Sequence, residues 1–146
     1  MEFSIVDLLS EEESEQWVAE HFHPDGLKCP RCGAGVEAAY HFRKTKRSRL
    51  TVYRCKHCLQ PYNAYSRTVF EQRHLTPAQV ILLLRGVLKG EPSRTLAAEL
   101  GLHEVTVLEL RRDLQANAVL LQPHSRLPDA QTETDEMFQN AGEKRR

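Results

Sequence analysis

The 146-residue chain is long enough for one ordinary domain or two very small ones, and it is too short for a large enzyme. Its formal net charge is zero, but residues 1–27 carry eight acids and no Lys or Arg, whereas residues 28–74 carry eleven bases and two acids. Such a basic segment is typical of proteins that gather phosphates, although a solvated charged surface gives the same pattern.

The sequence contains no candidate membrane span. Its longest apolar run, Val80 to Leu84, is far shorter than the roughly 20 residues that a transmembrane helix requires. The N-terminus is acidic, which is the opposite of the basic start of a secretory signal. We therefore expect a cytoplasmic protein with no membrane contact.

Residues 1–26 are predicted to form an acidic helical segment. Ser10 and Glu13 have the spacing of a capping box, which predicts a helix from about Ser10 with its acids at the favourable end of the dipole. Trp17, Val18 and Phe22 are expected to pack on the remainder of the protein. The acids of this helix are expected to shield part of the basic segment.

Four cysteines with metal-binding spacing lie within a second segment, residues 27–74. The pairs are Cys29 with Cys32 and Cys55 with Cys58, and a two-residue gap lets both thiolates of a pair bind one tetrahedral ion. Val36, Ala38, Tyr40 and Phe42 alternate with other residues and predict one strand, and SRLTVYR predicts a second, joined to the first by the basic turn RKTKRS. PYNAYS predicts a third strand. The pattern indicates a zinc ribbon, in which four thiolates leave no open position for catalysis, so Zn²⁺ would be structural.

Other interpretations of the cysteines remain. Disulfides are disfavoured by a reducing cytoplasm, and a single redox pair would not explain two copies of the motif. An iron–sulfur cluster also uses four thiolates and stays open. The 22 residues between Cys32 and Cys55 slightly exceed the usual spacing of about 15 to 20, which a longer hairpin accommodates. His57 is expected at the surface, where it would face solvent or phosphate.

Residues 75–118 are predicted to form a three-helix helix-turn-helix unit. Thr76, Pro77 and Gln79 mark a helix start, and the apolar stripe that follows ends at Gly90. Gly101 is expected in the turn before the third helix. The expected core residues are Leu96, Ala97, Leu100, Leu102, Val107 and Leu110.

The third helix, from about His103 to Ala118, would enter the major groove if the unit binds DNA. It would present Glu104, Thr106, Glu109 and Arg112, and its two acids reduce affinity near phosphates, so the basic ribbon is expected to supply much of the attraction. A structural or dimerising helical unit is the alternative. The expected DNA contacts are Arg43, Lys44, Lys46, Arg47, Arg49, Arg54, Lys56, Thr106, Arg111 and Arg112.

Residues 119–146 are predicted to begin as a linker. Pro123 and Pro128 interrupt any helix there. The expected fold class is therefore α+β, with a small β zinc ribbon, an all-α three-helix unit and a disordered C-terminal tail.

The order of these parts resembles the N-terminal half of bacterial insertion-sequence transposases, in which a zinc ribbon and a helix-turn-helix precede an RNase-H-like DDE catalytic domain. The resemblance is carried by PDGLKCPRCG, by YRCKHC followed by NAYSRTVFE, and by TDEMFQNAGEK at residues 134–144. It covers most of residues 20–144, and it implies that residues 119–146 are a linker followed by the truncated first strand of the RNase-H-like domain.

This resemblance implies a protein that recognises double-stranded DNA at the terminal repeats of a mobile element, with a second copy or a full-length transposase as a further partner. It also implies that Asp135 matches the first catalytic acid of a two-metal site, which would hold Mg²⁺ in a full-length relative. The remaining acids have no counterpart in the sequence. We therefore expect Asp135 to be vestigial and this chain to have no catalytic activity by itself.

Two other functions would use the same modules. One is a transcription regulator, for which the match at Asp135 is accidental. The other is a zinc-stabilised interaction module that docks on a protein through its Leu-rich helices and acidic N-terminus.

Overall fold

A computed structural model describes residues 5–121, which form a three-stranded antiparallel sheet and four α-helices. The predicted mixed α+β class is therefore confirmed. The predicted disordered tail and Asp135 lie outside the described residues. Within residues 5–121, every helix is too short or too polar to cross a membrane. The elements are helix α1 (Glu11–Phe22), strands β1 (Ala39–Lys44), β2 (Thr51–Cys55) and β3 (Pro61–Tyr62), and helices α2 (Pro77–Leu88), α3 (Ser93–Leu100) and α4 (Glu104–Leu121).

Helix α1 begins where the sequence predicts and packs against α2. The Ser10 hydroxyl accepts a hydrogen bond from the Glu13 N–H at 3.2 Å, which satisfies one of the free donors at the helix start. Val18 is completely buried in the main core. The Phe22 ring stacks on that of Phe70, with centroids 5.6 Å apart. These contacts confirm that α1 packs on the rest of the protein.

The sheet has the order β1–β2–β3. Strands β1 and β2 pair from Ala39 opposite Cys55 to Lys44 opposite Thr51, with a bulge between His41 and Arg43. The alternating pattern placed the start of the first strand near Val36, but Val36–Ala38 form a 3₁₀ turn instead. Period-two alternation does not distinguish such a turn from the strand that follows it.

The basic turn between β1 and β2 is held by one threonine. The Thr45 hydroxyl accepts a hydrogen bond from the Leu50 N–H at 2.9 Å and pairs with the Ser48 hydroxyl at 2.6 Å. The buried Leu50 side chain anchors the turn in the main core. Lys46 and Arg47 remain exposed at the tip. The turn is therefore an ordered platform for basic side chains.

Helices α2, α3 and α4 follow the predicted signals closely. Thr76 and Gln79 form the complete capping box, with Pro77 in the first turn of α2. Gly101 ends α3 with a left-handed backbone, φ 63°, which glycine adopts without steric cost. Helix α4 continues to Leu121, beyond the predicted end at Ala118, because no helix breaker precedes Pro123.

One core joins the helices to the segment that follows the sheet. Tyr65 and Phe70, which the sequence analysis assigned to the ribbon, are buried against the helices. The Tyr65 hydroxyl donates to the Leu75 carbonyl at 2.9 Å. Of the core residues predicted in the helical unit, Leu102 is half-buried and the following are buried: Leu96, Ala97, Leu100, Val107 and Leu110. Because residues beside the sheet and residues of α4 pack in this one core, the core fixes where the sheet lies relative to α4.

A close contact between α2 and α3 yields a stability prediction. A Cβ atom on Gly86 would lie 2.1 Å from Cδ2 of Leu96, which is 1% exposed and cannot swing into solvent. We expect Gly86→Ala to lower the free energy of unfolding by about 1–2 kcal/mol, because overpacking exceeds the gain in helix propensity. Denaturant titration of Gly86→Ala, Leu96→Ala and the double variant measures this. The double variant should lose less unfolding free energy than the two single variants lose together. A Gly86→Ala variant that is more stable than the unsubstituted protein would contradict the contact.

Candidate metal centre and basic surface

The four cysteine sulfurs converge on one point. Their Sγ atoms all lie within 4.8 Å of one another, with Cys29 to Cys58 at 3.4 Å and Cys32 to Cys55 at 3.5 Å. Metal–sulfur bonds of about 2.3 Å in a tetrahedron place sulfurs about 3.8 Å apart, whereas a disulfide needs about 2.05 Å. The cluster therefore has the dimensions of a four-thiolate site and could hold one metal ion such as zinc.

Two turns of the same shape bring the sulfurs together, and we call them the knuckles. In the first, the Gly33 N–H donates to the Cys29 carbonyl at 2.9 Å, and in the second the Leu59 N–H donates to the Cys55 carbonyl at 3.1 Å. Gly33 and Leu59 both have a left-handed backbone, with φ of 76° and 59°. The Lys56 N–H also donates at 2.9 Å to the chain before β1. Both pairs therefore face a common centre.

Backbone N–H groups within the knuckles favour ionised sulfur. Burial opposes ionisation of Cys29, but N–H donation from Cys32 and Arg31 lowers the pKa of its thiol to about 6. N–H donation from Cys58 likewise lowers the pKa of the Cys55 thiol despite its burial. The Ala34 and Gln60 N–H groups act in the same direction on Cys32 and Cys58, but burial and the neighbouring ionised sulfurs raise the pKa of these two thiols, so the backbone favours ionisation of one sulfur in each knuckle. Thiolate is the form of cysteine that binds metals. The local backbone is therefore arranged for metal binding, and four protein ligands leave no position for a substrate.

The basic turn lines a shallow groove at the opposite end of the hairpin. Arg43, Lys44, Lys46 and Arg47 are exposed there and share a groove of about 410 Å³ with His74. Within residues 5–121, none of these four bases forms an ion pair. The turn therefore presents uncompensated positive charge.

A second groove continues this surface to helix α4. It has a volume of about 270 Å³, and Arg73, His74 and Leu102 line it together with Thr106 near the start of α4. His74 lines both grooves. The groove at the basic turn and the groove at the first turns of α4 thus both adjoin His74, and we call the two grooves together the basic surface.

Arg73 neutralises part of α4. Its guanidinium lies 3.4 Å from a Glu109 oxygen and 3.1 Å from an Asp113 oxygen. The sequence analysis expected Glu109 to face DNA and to repel phosphates. In the structure, Glu109 instead shares Arg73 with Asp113. Glu104 and Arg112 remain exposed on α4.

The acids of α1 contact the start of β2. Glu11 pairs with Arg49, and Glu15 accepts hydrogen bonds from the Thr51 N–H at 2.5 Å and from its hydroxyl at 3.2 Å. Arg49 is therefore compensated, unlike the four bases at the turn. A groove of about 590 Å³ between α1 and the sheet has acids of α1 on its wall, so it does not suit phosphate.

The other predicted DNA contacts lie apart from the turn. Arg54 and the exposed Lys56 are at the metal end of the hairpin, since Arg54 pairs with Tyr40 in the sheet. Arg111 is half-buried, and its guanidinium donates to the Glu91 carbonyl. Arg111 is therefore turned toward the loop between α2 and α3, and it does not line either groove of the basic surface.

The sequence analysis missed the residues that connect the turn to α4. Arg73 was counted only as part of the basic segment, and His74 was not singled out. Their position directly before the Thr76 cap was the available signal, because that is where the chain passes from the sheet to the helices.

Comparison with protein-family models, with curated proteins and with solved structures finds no match in any of the three. No relative thus assigns a role to the sulfur cluster or to the basic surface. Their functions must be tested on this chain.

Metal removal should unfold the sheet, because β1, β2 and β3 together contain few residues and bury little apolar surface without the ion. We expect one metal ion per chain, loss of β-sheet circular dichroism with a chelator, and weaker metal binding at lower pH as protons compete for the thiolates. Metal analysis and circular dichroism measure these effects. Cys29→Ser should lose the ion, whereas His57→Ala, an exposed control within the second knuckle, should keep it. Equal metal content in both variants would contradict the site.

Proposed function

We propose that the chain contains a duplex-DNA-binding module in which a structural zinc ion supports the basic surface. The sheet with its two knuckles would be a zinc ribbon, and α2 to α4 would act as a helix-turn-helix unit. The observation that carries this proposal is that His74 lines both the groove at the basic turn and the groove at the start of α4.

The spacing of the sulfurs favours one ion over an iron–sulfur cluster. A cluster distributes its cysteines over several iron atoms and so separates their sulfurs more widely than one ion does. Here all four lie within 4.8 Å. Zinc is the usual ion at closed four-cysteine sites, where it supplies folding energy to small modules. Its role here would be to hold the hairpin that carries the turn.

The charge distribution favours nucleic acid as the partner. Attraction to phosphates supplies most non-specific affinity for duplex DNA. Each contact requires a Lys or Arg side chain whose charge is not already neutralised by an Asp or Glu. Arg43, Lys44, Lys46 and Arg47 meet that requirement within residues 5–121. Thr106 lies near the N-terminus of α4, the end from which recognition helices contact base edges.

Recognition of transposon ends is the biological role that we propose for this binding. The support is the resemblance of the two cysteine motifs and of TDEMFQNAGEK to insertion-sequence transposases. The proposed partners are the terminal repeats together with a second copy of the chain or a full-length transposase. The chain itself would be catalytically incomplete, with Asp135 as a vestigial acid and Mg²⁺ used only in a full-length relative.

A protein-interaction module is the second candidate. Val105 and Leu108 of α4 are 53% and 38% exposed, and both lie close to Glu104 on the helix surface. Apolar side chains are poor phosphate ligands and suit a protein partner better.

A transcription regulator would use the same basic surface as the transposase module, so footprinting on element ends and on promoters distinguishes these two roles.

Substitution at the basic turn tests duplex binding. We expect Lys46→Ala and Arg47→Ala each to weaken binding to element-end duplexes and to unrelated duplexes alike, since phosphate contacts are independent of sequence. The slope of log K against log salt should fall by about 1 for each lost contact. Fluorescence anisotropy over a salt series measures this. The control Arg85→Ala removes an exposed charge on α2 outside both grooves. A chain that binds no duplex even at low salt would remove the proposal.

Substitution of Arg73 tests the link between the turn and α4. Arg73→Ala would leave Glu109 and Asp113 uncompensated beside the basic surface, so we expect duplex affinity to fall more than the loss of one phosphate contact explains. Adding Glu109→Gln should restore part of it, because one uncompensated charge is removed. The same anisotropy assay measures both variants. Unchanged affinity in Arg73→Ala would show that DNA does not approach α4.

A further inference from the structure

A second surface with features of a nucleic-acid site runs along strand β1, from Tyr40 near the metal end of the hairpin to Arg43 of the basic turn. Tyr40 and Phe42 on strand β1 are 41% and 45% exposed. Arg54 is the cross-strand neighbour of Tyr40, and its guanidinium carbon lies 5.2 Å from the centroid of the Phe42 ring. The guanidinium carbon of Arg43 lies 5.8 Å from the same centroid. We call these four residues the aromatic patch.

The exposure of both rings on the edge strand β1 needs an explanation. Tyr40 to Lys44 are all exposed on it. Large apolar rings on an open sheet face lose the stabilisation that burial would give them and invite association. Phe42 lies in the bulge between His41 and Arg43, where it has no partner on β2. Bulges often occur where a strand re-aims a side chain toward a ligand.

Arg54 is held in position to bind an anion. Its Nε–H donates to the Leu59 carbonyl at 3.0 Å, which fixes the guanidinium over one side of the Phe42 ring. Within residues 5–121, no carboxylate pairs with Arg54 or Arg43. The remaining N–H groups of both guanidiniums are therefore available for phosphate, in the forked geometry that suits its oxygens.

We propose that the aromatic patch binds single-stranded DNA by stacking unpaired bases on Phe42 and Tyr40. Arg54 and Arg43 bind the adjacent phosphates. Aromatic rings interleaved with arginines on an exposed sheet are the means by which proteins bind single strands without reading their sequence. The inference goes beyond the proposed duplex binding and does not depend on it.

The chemistry of the patch selects single strands over other ligands. In a duplex the base faces are stacked inside the helix, so Phe42 and Tyr40 would meet only sugars and phosphates. An apolar protein surface would leave Arg54 and Arg43 without counter-charges, and desolvating these two guanidiniums would cost binding free energy. A single strand satisfies both halves of the patch, since every nucleotide offers a π-face and a phosphate.

Fluorescence anisotropy with a short labelled oligo-dT strand, and in parallel with a duplex, tests the inference on the zinc-loaded full chain. We expect Phe42→Ala to weaken oligo-dT binding by about tenfold and to change duplex affinity by less than about twofold. Phe42→Leu, which keeps an apolar group but removes the ring, should lose binding in the same way. Leu88→Ala removes a residue on α2 that is 87% exposed and is the matched control, with no effect on either ligand.

A tryptophan variant supplies a direct signature of stacking. Phe42→Trp should retain oligo-dT binding, and its indole fluorescence should be quenched when the strand is added. The native Trp17 lies on α1, stacked on His21, and gives the background, which the unsubstituted chain measures. Wild-type protein that binds duplex but not oligo-dT would overturn this inference and leave the proposed function standing. Oligo-dT binding that survives Phe42→Ala and Phe42→Leu, or that falls equally with duplex binding, would also overturn it.

Discussion

The convergence of four cysteine sulfurs within 4.8 Å is the constraint on which the rest of this structure depends. The sheet is too small to be stable alone, and its third strand contributes only Pro61–Tyr62. An ion at the sulfurs would join the chain before β1 to the end of β2, and so close the hairpin at one end. The other end carries the basic turn. Metal binding and the presentation of positive charge would thus be coupled through the length of two short strands.

The main core carries this constraint from the sheet to the helices. Leu50 at the start of β2 and Tyr65 and Phe70 after β3 are buried with α1 to α4. The basic turn and α4 are therefore both anchored to one core. Arg73 and His74 lie between them, where His74 lines the groove at each and Arg73 pairs with Asp113 of α4. The same hairpin exposes two faces with different chemistry. One presents basic side chains, which suit a phosphate backbone, and the other combines aromatic rings with arginines, which suit unpaired nucleotides. Arg43 belongs to both faces.

Much of this organisation follows from local sequence signals. The cysteine spacing, the Thr76 capping box and Gly101 all act over a few residues, and each was predicted at its observed position. Contacts between distant residues were not predictable in this way. Arg73 meets Glu109 from 36 residues away, and Arg111 turns to a carbonyl 20 residues before it. Charge counting assigned Glu109 a repulsive role and Arg111 a DNA contact, because composition does not reveal which charges the fold pairs internally.

X-ray absorption at the metal edge of the purified, folded chain tests the account most directly. The account predicts a single zinc ion per chain with four sulfur neighbours at about 2.3 Å and no nearby second metal. A spectrum dominated by oxygen or nitrogen ligands, a metal–metal distance typical of a cluster, or a folded chain that contains no metal would contradict it.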